Sequence, residues 1–482
     1  MIGALHSKSL LVLAAACCCF ASLTPIGNLM AGVALPLDAP AAGDNFGSRV
    51  AISGNTILVG GPGNTASHQG KVQVFVASEG EWLYQTTLSD VGALRFGTGV
   101  ALDGNTAVVG APGSNTAYVY GGAGSAWTSI GQMTGTGGFG FDVQLSGESA
   151  VVGMQSGPSA YVFTASDNWD DAEILGSGDY FGHSVGISDT AAVVGDYWRN
   201  TAYFYRLDGG NWVADGSVSR GSTGSSNQFG YSVAIDGDYA IVGANQTGAG
   251  SLTKTGSATI YRREADATWV EQITLAPDEL YDNDQFGYSV AIDGDFAAIG
   301  AINQGSWESS WSGSVYVYQR VGSTWIFTGK LQPENGTIED QFGCSVAIGD
   351  GKIVVGSWHE DLDDLANDNA GAAYVFDIPT LFFLPGDANF DGHVNEVDAK
   401  ILADRWGLAN GATWGDGDFD KDGRVGPADA AILAAHWGMS RSSAEAASLS
   451  SPAAVPEPAA LGLIPTALAC LLAFRRSRAA QS

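Results

Sequence analysis

Along most of the chain, large apolar and small residues alternate with a period of two, and the dipeptide Phe-Gly marks each restart of the pattern. It occurs at Phe46, Phe96, Phe139, Phe181, Phe229, Phe286 and Phe342, at intervals of 42–57 residues. Each copy opens an alternating strand, clearest in Phe229-Gly-Tyr-Ser-Val-Ala-Ile235. A tight Asp-Gly-Asp or Gly-Asn turn follows, as at Asp236-Gly237-Asp238 and Gly104-Asn105. A second strand ends in glycine (Ile241-Val242-Gly243-Ala244). A third is tyrosine-rich (Ala117-Tyr-Val-Tyr120, Val315-Tyr-Val-Tyr318). A fourth holds one of Trp82, Trp127, Trp169, Trp212, Trp269 and Trp325. Four short strands per unit of this length predict a propeller blade, so the middle of the chain reads as a seven-bladed β-propeller of four-stranded blades.

Strand residues point alternately to opposite faces. In the first strand Phe286, Tyr288, Val290 and Ile292 form a bulky face, and Gly287, Ser289 and Ala291 a flat one. Each blade is therefore expected to press its bulky face on a neighbour's flat one. Arg49, Asp142 and Gln144 break the alternation, which marks blades one and three as less regular. Blade seven has three strands, the last ending at Tyr374-Val375-Phe376, and no tryptophan strand after them. Leu35 lies eleven residues before Phe46, as Leu275 and Leu331 do before Phe286 and Phe342, and Leu29 stands where the tryptophan would be. A strand near residues 29–36 is thus expected to complete blade seven and remove its open edge. The segment Thr380-Leu-Phe-Phe-Leu384 competes for that place.

These seven Phe-Gly openings, with Gly60-Gly61-Pro62 and Gly110-Ala111-Pro112, resemble FG-GAP repeats of the kind found in integrin α-subunit propellers and bacterial surface proteins. The resemblance covers about residues 35–377. Family members often hold calcium in a D-x-D-x-D-G loop between strands. No repeat here contains that run, so no metal site is expected in the propeller.

After Pro385 the pattern changes. Asp387, Asn389, Asp391, Asn395 and Asp398 fall at positions 1, 3, 5, 9 and 12 of an EF-hand-type loop. Gly392 at position 6 permits the sharp turn, and His393 at position 7 would offer its backbone carbonyl. A second loop has Asp418, Asp420, Asp422, Gly423 and Asp429, with Arg424 at the carbonyl position and Gly426 at position 9. Hard oxygen donors at this spacing suit two Ca²⁺ ions. Each loop runs into a similar helix, ending at Trp406-Gly407 and Trp437-Gly438. A duplicated loop-helix with Asp at position 12 resembles a type I dockerin, here Gly386 to Met439. That resemblance implies a small α-helical calcium-binding module that plugs into a cohesin-like protein of a polysaccharide-degrading assembly. The usual recognition positions carry Glu396-Val397 and Pro427-Ala428, which leaves open a spacer or another envelope partner.

Charge narrows the partners. Acids outnumber bases 51 to 21, for a net charge of −30. A nucleic-acid binder needs a cationic footprint, so that class is excluded, and cations or uncharged glycans fit better. Of the five cysteines, Cys17, Cys18 and Cys19 lie in the apolar leader and Cys470 in the last apolar segment. Only Cys344 remains in the body, too few for an intrachain disulfide there.

The chain ends read as address labels. Residues 1–28 form a secretory signal, with an apolar run from Leu10 to Phe20 and small residues after it. The propeller is assigned to 29–380, the dockerin-like module to 386–439 and a Ser/Ala linker to 440–454. In 455–482, Val455-Pro456-Glu457-Pro458 precedes an apolar helix at 459–474 and the basic Arg475-Arg476-Ser477-Arg478. This order resembles the PEP-CTERM signal, which implies transient membrane anchoring through 459–474 and processing by an exosortase. A plain tail anchor is the alternative.

No catalytic constellation is legible. G-x-S-x-G, H-E-x-x-H and a phosphate-binding loop are missing. His183 and Cys344 occupy a large-face strand position and read as core. His359-Glu360-Asp361, with Asp363, Asp364 and Asp368, reads as a solvated acidic loop. The expectation is a non-enzymatic, secreted or cell-surface binding scaffold. A component of extracellular polysaccharide breakdown and a matrix protein are the alternatives. Trp198, Trp307, Trp311 and Trp358, which follow the second strands, are candidates for stacking on sugars.

Overall fold

The computed structural model describes residues 29–30, 32–63, 65, 69–221, 227–248, 253–305, 312–333, 339–361, 369–378, 384–389, 392–409, 412, 414–420 and 423–440. The leader, the sorting tail, Asp391, Asp422, Asp363, Asp364, Asp368, His68, Trp307 and Trp311 lie outside them, as does most of Thr380–Leu384. Among the described residues no helix is long and apolar enough to cross a membrane.

Seven antiparallel sheets follow one another along the chain, each opened by one Phe-Gly copy. Blade five is representative: Ser232–Asp236, Tyr239–Ala244, Ser257–Arg263 and Trp269–Leu275, paired in sequence order. All seven Phe-Gly phenylalanines are at most 2% exposed. The tyrosine strands explain where those rings rest. Phe96, Phe139, Phe181, Phe286 and Phe342 meet Tyr118, Tyr161, Tyr203, Tyr316 and Tyr374 of their own blades at centroid distances of 5.2–5.7 Å. Such tilted or edge-on pairs contribute about 0.5–1.5 kcal/mol each beyond their area.

The glycine one residue before the end of each second strand is required by the next blade. A Cβ on Gly60, Gly110, Gly153, Gly195, Gly243, Gly300 or Gly356 would lie 1.8–2.3 Å from the carbonyl oxygen of Gly97, Gly140, Gly182, Gly230, Gly287, Gly343 or Gly47, respectively. The last pair joins blade seven to blade one and closes the ring. Beside these contacts, the flat-face serines bond from blade to blade. Val50 N donates to Ser345 Oγ at 2.9 Å and Val233 N to Ser184 Oγ at 3.0 Å. Ser232 Oγ and Ser289 Oγ donate to the carbonyls of Gly287 and Gly343 at 2.8 and 2.7 Å.

The N-terminal strand closes blade seven as expected. Val33–Ala34 pairs antiparallel with the third strand of that blade, Val33 opposite Val375. Leu35 is buried, and its N–H donates to Ala373 O at 2.9 Å. The outcome departs from expectation at Leu29–Met30, which runs parallel to the outer strand of blade six, Leu29 opposite Lys330. The incoming chain therefore ties two blades together.

Blade three is the irregular one. Asn168 and Trp169 adopt left-handed backbone angles (φ 56° and 65°), which breaks the strand, so its outer strand is only Ala172–Ile174. Trp169 is nevertheless buried at 4% exposure. Blade one is regular. Its Arg49 does not disrupt the sheet, because it reaches from blade one to Asp142 of blade three, with Nε 3.8 Å from Oδ1. The two breaks in the pattern thus answer each other. Outer-strand tryptophans reach back to the preceding blade: Trp269 stacks on Phe204 at 3.9 Å. Alongside it, Arg263 binds both oxygens of Asp215 at 2.6 and 3.0 Å. Burial alone would raise the Asp215 pKa, but the bonds and charge of Arg263 hold it below the usual carboxylate range.

Candidate functional site

The calcium-type loops form a small two-fold repeat. Helix α1 is Glu396–Asp404 and α2 is Pro427–Ala435. The position-12 aspartates do the same work in both halves. Asp398 Oδ1 accepts from the N–H groups of Ala388 and Asn389 at 2.8 and 3.2 Å, and Asp429 Oδ1 from those of Phe419 and Asp420 at 2.8 and 3.2 Å. Position 1 matches too, with Gly392 N donating to Asp387 Oδ2 and Gly423 N to Asp418 Oδ2, both at 2.9 Å. Backbone hydrogen bonds tie the halves to each other. Val394 N donates to Met439 O and Val425 N to Leu408 O, each at 3.0 Å. His393 and Arg424, the carbonyl positions, lie immediately before these two valines. Asn395 acts as a helix cap, its Oδ1 accepting from Val397 N at 2.8 Å, and Gly426 holds the equivalent place in the second half.

Asp387, Asp398, Asp418 and Asp429 are all at most 5% exposed. Oxygens of Asp418, Asp420 and Asp429 lie within 4.8 Å of one another. Asp418 and Asp429 are buried and Asp420 is exposed; carboxylates held this close, two of them out of water, repel unless a cation neutralises them, and an all-oxygen donor set of this kind fits Ca²⁺. Asn389 takes the place of Asp420 in the first half. The module's core is small: Leu384, Val394, Leu402, Trp414, Phe419, Val425 and Leu433, with Trp414 Nε1 donating to Asp387 O at 2.7 Å. Outside that core Val397, Trp406, Leu408, Trp437 and Met439 are 36–53% exposed.

The propeller axis holds the second candidate region. A central cavity of about 470 Å³ is lined by the innermost strand of every blade. At its hairpin end, turn side chains cap the turn of the next blade. Asp350 accepts from Gly54 N at 2.6 Å, Asp103 from Gly147 N at 2.6 Å and Asp236 from Gly294 N at 2.8 Å. Ser53, Ser146 and Ser188 do likewise for Gly104, Asp189 and Gly237 at 2.9–3.1 Å. These turns were legible in sequence, but not their interlocking.

At the Phe-Gly end the residues two places after the phenylalanine in four consecutive blades form a row. Phe141, His183, Tyr231 and Tyr288 stand ring to ring at 4.9–5.2 Å. His183 is held neutral, its pKa pushed down to about 4 by burial and then by Arg49. Asp142 is pushed up by burial despite Arg49. Cys344 is buried, and desolvation raises its thiol to about 12, which leaves it an unreactive core residue. The residues that follow the second strands sit above this layer: Tyr197 meets the His183 ring at 4.8 Å. Trp198 is 48% exposed. Trp358 is half-buried, stacked on His359 and donating to Gln341 Oε1 at 2.5 Å. Glu360 is tied to the Tyr374 hydroxyl at 2.5 Å and raised to about 7 by burial, so it belongs to the fold of blade seven.

Fold and site together define a repeat propeller joined in one chain to a duplicated calcium-loop module. The chain carries FG-GAP repeats, matched over residues 36–75, 221–261, 269–318 and 325–376. It also carries a Dockerin type I domain, matched over 385–437. Domains of that kind bind calcium, and in general cohesin partners. Blades two to four fall outside the matched repeats, yet they have the same four-stranded architecture. Comparison with curated proteins finds no match. Among solved structures, hydrazine synthase of Kuenenia stuttgartiensis aligns at 14% identity with a TM-score of 0.50, over 71% of this chain and 97% of that one. The computationally designed Ika8 protein aligns at 12% identity with a TM-score of 0.44, over 72% of this chain and all of that one. At such identity the likeness to the synthase concerns the fold alone.

Proposed function

We propose that this protein is a non-enzymatic binding and assembly scaffold that works outside the cell or on its surface. The propeller takes a polysaccharide, and the dockerin module, loaded with two Ca²⁺ ions, docks into a cohesin-like partner. The observation that carries the reading is the union in one chain of a closed propeller and a repeated loop-helix with convergent buried carboxylates. A secretory leader and a sorting tail processed by an exosortase agree with that setting. The axial histidine and cysteine support a role without catalysis, since burial keeps one neutral and the other a thiol.

The test is retention of the mature protein on insoluble and soluble polysaccharides, with calcium and with chelator, while reducing-sugar release is followed in the same tubes. Retention without sugar release is the expected result. Sugar release would overturn the non-enzymatic reading and favour a polysaccharide-acting hydrolase. Binding to an immobilised cohesin module, lost on chelation, is expected for the second half of the reading.

A further inference from the structure

The Phe-Gly end of the axis holds two arginines that the fold leaves largely unspent. Arg49 of blade one reaches blade three, where its guanidinium carbon lies 5.9 Å from the centre of the Phe141 ring. Its Nη1 donates to Ser48 O at 3.0 Å. Its Nε stands 3.8 Å from Asp142 Oδ1, too far for a hydrogen bond. Arg95 of blade two reaches the same blade, its Nη1 donating to Gln155 Oε1 at 3.3 Å. A guanidinium offers five N–H donors, and among the described residues each of these two makes one hydrogen bond. Arg95 has no carboxylate partner among the described residues, in a chain whose acids outnumber its bases 51 to 21.

The two guanidiniums sense each other. Burial and then the charge of Arg49 lower the Arg95 pKa, as like charges do when they are held close with no anion between them. Both side chains are partly exposed. Beside them runs the row of rings: Phe141, which Arg49 overlies, is 5.0 Å from His183, and Tyr197 is 4.8 Å from His183 and 5.9 Å from Tyr231. These four rings come from blades three to five and keep some exposed surface. The places equivalent to Phe141 in blades one and two hold the small Ser48 and Thr98. Cationic donors from one side of the ring of blades thus meet aromatic faces from the other.

We propose that the Phe-Gly end of the axis binds a uronic acid residue of a polysaccharide, its carboxylate taken by Arg95 and Arg49 and its sugar ring lying along Tyr197 and Tyr231. This deepens the scaffold reading and rests on its claim that the propeller binds glycan. Arginine forks match a carboxylate with two parallel charge-assisted bonds, whereas a cationic ligand would be repelled by both. An acidic peptide would bring the same carboxylate, but the rings beside the donors favour a ligand with a flat C–H face. The net charge of −30 opposes a polyanion at long range. Exposed charges are screened beyond about 8 Å at physiological salt, so the two arginines set the sign of the field at the axis.

The test is affinity electrophoresis of the full mature protein in gels containing polygalacturonate, alginate or glucuronoxylan, with their methyl-esterified neutral forms, galactomannan and poly-L-glutamate beside them. Arg95→Gln, Arg95→Lys and, in the dockerin module, Lys400→Gln are run with the wild type. Arg95→Gln installs the residue found at the equivalent place in Gln228, Gln285 and Gln341, with the same left-handed backbone (φ 55–58°). It also relieves the repulsion from Arg49, so it is expected to melt no lower than the wild type, a readout that a structural role would reverse. The expected result is retardation of the wild type by at least one acidic glycan, weakened by salt and by esterification. Affinity should fall about tenfold or more in Arg95→Gln, recover in part in Arg95→Lys and stay unchanged in Lys400→Gln, which removes the same charge elsewhere. Equal retardation of wild type and Arg95→Gln, or retardation by neutral glycans alone, overturns the site while the scaffold reading stands. Retardation by poly-L-glutamate as strong as by the glycan overturns the saccharide assignment. No retardation of the wild type by any glycan overturns both the site and the scaffold reading.

Discussion

In the propeller, the side chains taken furthest from water are the seven Phe-Gly phenylalanines and the β-branched residues around them. In the 385–439 module they include four aspartates. The first kind of burial is favourable in itself, roughly 1.5–3 kcal/mol for each large apolar side chain, and it recurs at every blade. The second is unfavourable until a cation arrives. A module of this size rarely gains more than about 3–5 kcal/mol from its core, so its folding free energy has to come from metal binding. One chain thus joins a ring built on apolar burial to a module that should need an ion to fold.

The sharpest way to break that contrast is chelation. Removing Ca²⁺ from the intact protein is expected to abolish the module's cooperative unfolding transition and leave the propeller's in place. Circular dichroism in the far ultraviolet, with melting followed with and without chelator, would show a helical loss reversed by added Ca²⁺. A spectrum unchanged by chelator would sink the idea. The matching attack on the propeller is Gly356→Val. Its Cβ would lie 1.9 Å from Gly47 O at the contact that closes the ring. A loss above about 4 kcal/mol is expected, measured as the shift of the urea midpoint, with the module's calcium response unaltered.

A smaller effect tests closure by sequence instead of by shape. A chain beginning at Asp44 lacks the Val33–Ala34 pairing with blade seven and the buried Leu35. It should lose about 3 kcal/mol from the missing apolar burial and hydrogen bonds. Unchanged melting would return the closing role to the segment at 380–384.

The smallest effect is a pH dependence. His183 titrates near pH 4 in the fold against 6.5 in the unfolded chain. The unfolded chain therefore binds more protons between those values, and this group's contribution to stability falls as the pH drops through that window. Asp284 and Glu360, raised to about 7 by burial, act in the opposite direction there. The measurement is therefore a difference between His183→Phe and wild type in melting temperature at pH 7, 5.5 and 4. The variant should gain on the wild type toward the acid end, and a constant difference would refute the assignment.

Much of the molecule was legible before any coordinates. Phe-Gly, the terminal glycine, the tyrosine strand and the tryptophan strand each reflect a local requirement repeated seven times, and repetition makes such a requirement visible. The calcium loops were legible for a related reason, since coordination geometry imposes ligands at alternate positions and glycine at the turn. The ring stack across four blades was not. Phe141, His183, Tyr231 and Tyr288 stand at ordinary large-face positions, and only the arrangement of the blades brings their rings together. Trp198 was a candidate by position, and its exposure is a property of the surface.

By itself, then, the sequence determined the number and order of blades, the antiparallel strand grammar and the duplicated loop-helix of the module. These depend on alternation, turn chemistry and short-range spacing. Tertiary structure alone decided which groups from distant parts of the chain meet. Gly356 touches Gly47, Arg49 of blade one reaches Asp142 of blade three, and Leu29–Met30 leaves blade seven for blade six. The physical reason is that a closed ring brings its two ends together at a fixed distance. The fit there depends on the summed geometry of all seven blades, which no single repeat encodes.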